Sequence, residues 1–252
     1  MCFQFRQFSI RQDRCAMKVG TDGVLLGAWA NGGERILDIG TGTGLIAIMM
    51  AQRYPRANVV GVEIDADAAE QAAENCKNSP FTSNIHILHD SIQNYASSIE
   101  AHALSIRAYA SSMKNYASEL QNCSTDVQYD AIVSNPPFFT PHATNHSSGK
   151  RVIARHGDTL TYSELASNAY HLLTEEAEFS VVVPSDYRTA MDDAAAISGF
   201  SPSRICAIST KPGTAPKRFL LAYKKHWCND IEESAITIGD EHYMALTSPF
   251  YL

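Results

Sequence analysis

The segment SNPPFF, residues 134–139, follows the apolar run YDAIV and holds a carboxamide, two prolines and two phenylalanines. Adjacent prolines remove two backbone donors and fix two φ angles, so this is a stiff corner whose carbonyl oxygens have no ladder partners of their own. An exocyclic amine conjugated to an aromatic ring is a weak nucleophile because its lone pair is delocalised. Two acceptors that hold its two hydrogens favour a tetrahedral nitrogen with a directed lone pair. The Asn135 side-chain oxygen and the Pro136 carbonyl are the candidate acceptors, Pro137 keeps them rigid, and Phe138 is the candidate platform for a flat base. Catalysis of this kind is mainly the positioning of an amine in line with an electrophilic carbon, and it needs no strong general base. A Pro-Pro turn after a strand is common by itself; the Asn before it and the aromatic after it are what suggest chemistry.

A carrier for that carbon is suggested upstream. LDIGTGTG, residues 37–44, follows an expected strand and opens an expected helix, where a glycine-rich turn brings backbone N–H groups close to a ligand. Gly40, Gly42 and Gly44 are spaced G-x-G-x-G rather than in the dinucleotide pattern G-x-G-x-x-G, and Asp38 stands just before them. A carboxylate there serves a pyrophosphate poorly but attracts a ligand with a sulfonium and an amino group. Glu63 closes the next strand, where a carboxylate can accept both ribose hydroxyls, and Asp90 closes the one after, within reach of an adenine amino group. Each acid alone is equally well a helix cap or a solvated strand end. Together, at the carboxyl ends of consecutive strands, they read as an S-adenosylmethionine site.

The elements that must position these residues alternate from residue 35 onward. Residues 34–40, 57–65, 84–90, 129–135 and 178–185 read as strands, with helices expected over 45–54, 68–78, 161–175 and 186–198, and two late strands at 202–209 and 217–225 are joined by the turn-rich TKPGTAP. Successive parallel strands require crossover helices. The expected fold is α/β: a doubly wound, mostly parallel seven-stranded sheet with a late antiparallel strand, in one domain over 1–252, with a hairpin and helix in 1–34. Residues 91–128 break the rhythm. NYASSI, AYASSM and NYASEL recur, and Ile92, Ile99, Ile106, Met113 and Leu120 are spaced by seven. That segment is either a heptad helix or helical hairpin, or a low-complexity insertion that is partly ordered.

Composition bounds the partners. A net charge of −7 argues against non-specific coating of nucleic acid. Yet no Asp or Glu occurs between Ala194 and Asn229, whereas Arg204, Lys211, Lys217, Arg218, Lys224 and Lys225 do, and Lys150, Arg151 and Arg155 follow the proline corner. Such runs are often only solvated faces. No apolar run approaches the roughly 18 residues of a membrane span, and nothing resembles an export signal. The six cysteines are scattered, with no zinc spacing, so no metal and no disulfide framework is expected. A monomer in the cytoplasm is the expected state.

With these residues in place, the chain resembles the class I S-adenosylmethionine-dependent methyltransferases that modify planar nitrogens, whose marker is Asn-Pro-Pro-aromatic. More narrowly, residues 5–30, with CAMKVGTDG as the most specific string, together with SNPPFF and ARHGDTL, resemble the bacterial tRNA(Val) adenosine-37 N6-methyltransferase family. The resemblance implies a Rossmann-like sheet, S-adenosylmethionine as cofactor and methylation of N6 of the adenosine 3′ of the anticodon. It implies that Asp38, Gly40, Gly42, Glu63, Asp90 and Asn135 contact the cofactor, that Lys18, Thr21 and Asp22 line its entrance, and that Asn135, Pro136 and Phe138 handle the base. The partner implied is the anticodon stem-loop, whose phosphates would meet Lys150, Arg151, Arg155, Lys217, Arg218, Lys224 and Lys225. The repeat departs from the family, which has a shorter connection there. Guanine-N2 rRNA and glutamine-N5 protein methyltransferases share the corner, and a non-catalytic RNA-binding module is a further alternative. Only about thirty-four residues precede the first core strand, too few for the substrate domain of the glutamine enzymes.

Overall fold

The computed structural model describes residues 2–112, 128–137 and 160–252. Phe138, Lys150, Arg151, Arg155 and the second half of the repeat lie outside the described residues. The apolar runs form strands because their side chains alternate between two covered faces, which is why they read as continuous rather than alternating hydrophobic stretches. In β3 (Arg35–Ile39), Ile36 joins one core and Leu37 and Ile39 the other.

The chain opens with a two-stranded hairpin, β1 (Cys2–Gln4) and β2 (Ser9–Arg11), and α1 (Thr21–Trp29). After β3 come α2 (Leu45–Arg53), β4 (Asn58–Glu63), α3 (Ala66–Lys77), β5 (Ile85–His89), α4 (Ile92–Ser112) and β6 (Tyr129–Ser134). The second half holds α5 (Tyr162–Leu172), β7 (Leu173–Pro184), α6 (Arg188–Ile197), β8 (Ser201–Ser209), β9 (Arg218–Lys224), β10 (Glu232–Thr237) and α7 (Glu241–Thr247). The main sheet has eight strands in the order β10-β8-β9-β7-β6-β3-β4-β5, and β9 is antiparallel to both neighbours while the other pairings are parallel. The late antiparallel strand is where the sequence places it. The sheet has one strand more than the seven expected, because β10 is a mostly exposed edge strand beginning Glu-Glu and carries no apolar pattern to read.

The chain runs β3, β4, β5 outward in one direction and then returns to place β6 on the other side of β3. This reversal opens a crevice at the carboxyl ends of β3 and β6, the place where open α/β sheets bind ligands. One face is covered by α1, α2 and the hairpin, the other by α4, α5 and α6. Local signals start the helices: the Asp65 carboxylate accepts from the Ala68 amide at 2.8 Å, and Thr161 and Glu164 form a reciprocal capping box at α5. α5 ends at Leu172 instead of Glu175 because Leu173 is claimed as a strand residue by pairing with Tyr129. The N-terminal hairpin is tied to the far end of the chain, where the Arg6 amide donates to the Phe250 carbonyl at 2.8 Å and Phe5 stacks on Tyr251. Among the described residues no helix is long and apolar enough to cross a membrane.

Candidate active site

The four residues singled out at strand ends fall on four adjacent strands. Asn135 follows β6, Asp38 lies in β3, Glu63 ends β4 and Asp90 follows β5. With strands about 4.8 Å apart, they span about 14 Å along the carboxyl edge. Their spatial order is the proline corner first and then three acids, one on each successive strand.

The glycine loop is built by left-handed backbone. Gly40 and Gly44 have φ of +70° and +79°, which L side chains rarely adopt. A Cβ on Gly40 would meet nothing within 4 Å, so the loop leaves open volume beside it, whereas one on Gly44 would press on Ala72 and Cys76 of α3 at 3.3 Å. The loop folds over β4 through Gly40 N–H to Val62 O at 2.9 Å and Thr41 N–H to Val62 O at 3.1 Å.

Asp38 is fully buried. Its Oδ2 accepts from the Thr41 hydroxyl at 2.6 Å and from the Ala47 amide, in the first turn of α2, at 3.1 Å. Its Oδ1 is buried with no partner. Burial pushes its pKa up to about 7, opposed by the donors of Thr41 and Ala47 and reinforced by the Glu63 charge. Glu63 is half-buried; it accepts from Gly42 N at 2.8 Å and Asp65 N at 3.0 Å and so stiffens the loop, with lone pairs to spare on both oxygens. Asp90 accepts from Ser91 N at 2.8 Å, and its own amide donates to the Glu63 carbonyl at 2.9 Å.

Across the crevice, the Ser134 hydroxyl donates to the Ile39 carbonyl at 2.8 Å and ties β6 to β3 just before the proline corner. Pro136 is buried and Pro137 exposed. The Asn135 Oδ1 is buried without a partner, while its Nδ2 donates to the Met17 sulfur at 3.6 Å. Two orphaned acceptors therefore flank one crevice beside an open glycine loop, and a cationic, amino-bearing ligand with a methylatable amine next to it fits that donor-poor set.

The three residues expected at the cofactor entrance sit on α1 and the turn before it. Lys18 donates its ammonium to the carbonyls of Cys15, at 3.1 Å, and Gln12, closing its own loop. Thr21 and Asp22 begin α1; the Asp22 carboxylate accepts from Arg218 Nε at 2.7 Å, and both line a cleft of about 390 Å³ with Ile208, Thr210, Lys217 and Ile238. Sequence reading missed Thr41 and Met17. Thr41 was signalled by a hydroxyl between two glycines; Met17 lies within the string CAMKVGTDG, but nothing in that string points to Asn135.

An open sheet whose reversal point lies between a G-x-G-x-G loop and an Asn-Pro-Pro corner makes this a class I methyltransferase. A methyltransferase-domain family model matches residues 36–111, and the fold is similar to that of Atu636 from Agrobacterium tumefaciens, described as a predicted O-methyltransferase (TM-score 0.62, 16% identity, 90% of this chain and 96% of that chain). Proteins of Bacteroides fragilis and Phocaeicola vulgatus named tRNA1(Val) (adenine(37)-N6)-methyltransferase are each 42% identical to it, covering 99% of this chain and 97% of theirs. The chain belongs to the tRNA1(Val) (adenine(37)-N6)-methyltransferase family.

Proposed function

We propose that this chain transfers a methyl group from S-adenosylmethionine to N6 of the adenosine immediately 3′ of the anticodon in tRNA(Val). When bound, the donor supplies a carbon made electrophilic by a positively charged sulfur. Asp38 would meet its cationic amino-acid end, Glu63 its ribose hydroxyls and Asp90 its adenine amino group, with Gly40 and Gly42 giving the close approach. Asn135 Oδ1 and the Pro136 carbonyl accept the two N6 hydrogens and turn the nitrogen lone pair toward the crevice, and Phe138 stacks on the base. The nitrogen becomes cationic on methylation, so its surplus proton passes to water without a dedicated base. An anticodon-loop base is already unpaired, which lowers the few kcal/mol that extrusion from a duplex costs.

The observation that carries this reading is the pair of buried, unpartnered oxygens on Asp38 and Asn135 at the sheet's reversal point. Lys217, Arg218 and the cleft they line stand at the same carboxyl edge and would take the RNA backbone. The test uses labelled methyl donor and total tRNA from a strain lacking the modification, followed by digestion to nucleosides. N6-methyladenosine in tRNA(Val) is expected; label on guanine N2, or no label in tRNA, overturns the assignment. Asn135→Ala should keep donor affinity and lower transfer by about 10²–10³-fold, the usual cost of one lost transition-state contact.

A further inference from the structure

A carboxamide has an oxygen on one side and an NH₂ on the other, and a half-turn about its last torsion exchanges them. Asn135 can hold an amine's hydrogen only with its oxygen toward the substrate. Nothing in the proline corner itself selects that orientation, so the selection must come from whatever the NH₂ touches. It touches Met17: Nδ2 donates to the thioether sulfur at 3.6 Å while Oδ1 stays buried and unpartnered. Turned over, the carboxamide would set an oxygen lone pair against a sulfur lone pair and lose the contact.

Met17 is itself held in place by an unusual investment of buried amides. The segment before it is fastened to α3: the Asn75 side chain accepts from Arg11 N at 2.9 Å and returns a bond to Arg11 O at 2.8 Å, and Gln71 Oε1 accepts from Arg14 N at 3.0 Å. Arg14 also pairs with Glu70 at 2.9 Å and with Glu74. Gln12 accepts from Val19 N at 2.7 Å, and Lys18 closes the same turn through the Cys15 and Gln12 carbonyls. Gln12, Gln71 and Asn75 are at most 5% exposed. Met17, by contrast, is 44% exposed, so it is not kept there for the apolar area it buries.

We propose that Met17 is a positioning residue: its sulfur receives an N–H of Asn135 and holds the carboxamide with its oxygen toward the amine to be methylated. The inference rests on the acceptor role of Asn135 given above. Met17→Leu keeps the volume and removes the acceptor. It should lower kcat about tenfold, with the RNA KM, the donor Kd and the thermal midpoint near wild type, and it should have no further effect in the Asn135→Ala background, since coupled residues fail to add. A second readout needs no substrate. The Asn135 side-chain amide, identified by its absence in Asn135→Ala, should exchange its hydrogens with water faster in ¹⁵N-labelled Met17→Leu than in wild type. An unchanged exchange rate overturns the proposal whatever the activity, and an unchanged kcat overturns its catalytic consequence. Wild-type protein that methylates no RNA would instead refute the assigned reaction, and amide exchange would still decide the role of Met17.

Discussion

Asp38 sits where burial favours its protonated form. Burial raises its pKa from 3.8 to about 7, so between these values the folded chain binds a proton that the unfolded chain has released. The cofactor-free protein should therefore lose stability as pH rises from about 4 to about 7 and level off above, the sign expected when the native state binds more protons. Asp38→Asn should lack that slope, be the more heat-resistant protein at pH 8, and bind S-adenosylmethionine weakly. Binding of the cationic donor near neutral pH should expel the Asp38 proton, read as a dependence of calorimetric heat on buffer ionisation enthalpy. Equal heats in phosphate and Tris would contradict this. The acids and Asn135 could be singled out in sequence because each stands at or next to the carboxyl end of an apolar run, with a glycine loop after Asp38 and two prolines after Asn135. Met17 was not, because its partner is 118 residues away and a sulfur contact leaves no pattern in sequence.

At the scale of elements, one cation of the basic run in the last third is a brace within the sheet. Glu178 of β7 and Arg204 of β8 pair across the intervening β9, above the small side chain of Ala222, with Nε to Oε2 at 3.1 Å, and Trp29 of α1 stacks on the guanidinium at 3.9 Å. Both side chains are largely sequestered, at 15% and 5% exposure. Arg204→Ala strands a buried carboxylate and should cost about 3–5 kcal/mol in urea unfolding, with methyl transfer intact below the new midpoint. A shift under 1 kcal/mol would refute the brace. The first half of the heptad repeat is helical, and its seam has a partner within the molecule. Ile92 and Ala103 are buried and Tyr95, Ala96 and Ile99 pack on the core of the sheet, so the stripe in this part of α4 faces inward. The Tyr95 and Tyr129 hydroxyls share a hydrogen bond there. Periodicity shows that a face is apolar; it does not name what covers the face.

Over the whole molecule, the basic run of the last third is divided by the sheet. Arg218 pairs in register with Pro184 and Ile208 at the carboxyl edge, whereas Lys224 pairs with Ser201 six residues, or about 20 Å, away. The Lys225 side chain is 6% exposed, lies 4.7 Å from the Tyr170 ring and pairs with Glu175 at 3.4 Å. Lys217→Ala should weaken tRNA binding and reduce the slope of log K against log salt by about 1, while Lys225→Ala should leave both unchanged. Equal losses in the two variants would mean that the RNA wraps the other end of the sheet. Clustering in sequence could not reveal this, since one reversed strand carries its two ends to opposite edges.

The tie between the first hairpin and Phe250–Tyr251 has a consequence in time. Ribosomes deliver the chain from its amino end, and the Arg6 side chain bonds to the Tyr251 carbonyl across 245 residues. The stack of Phe5 on Tyr251 therefore cannot form until some 245 further residues have been made. A nascent chain can fasten residues 11–14 to α3 early, yet the outer side of the hairpin is closed only after residue 251 has emerged.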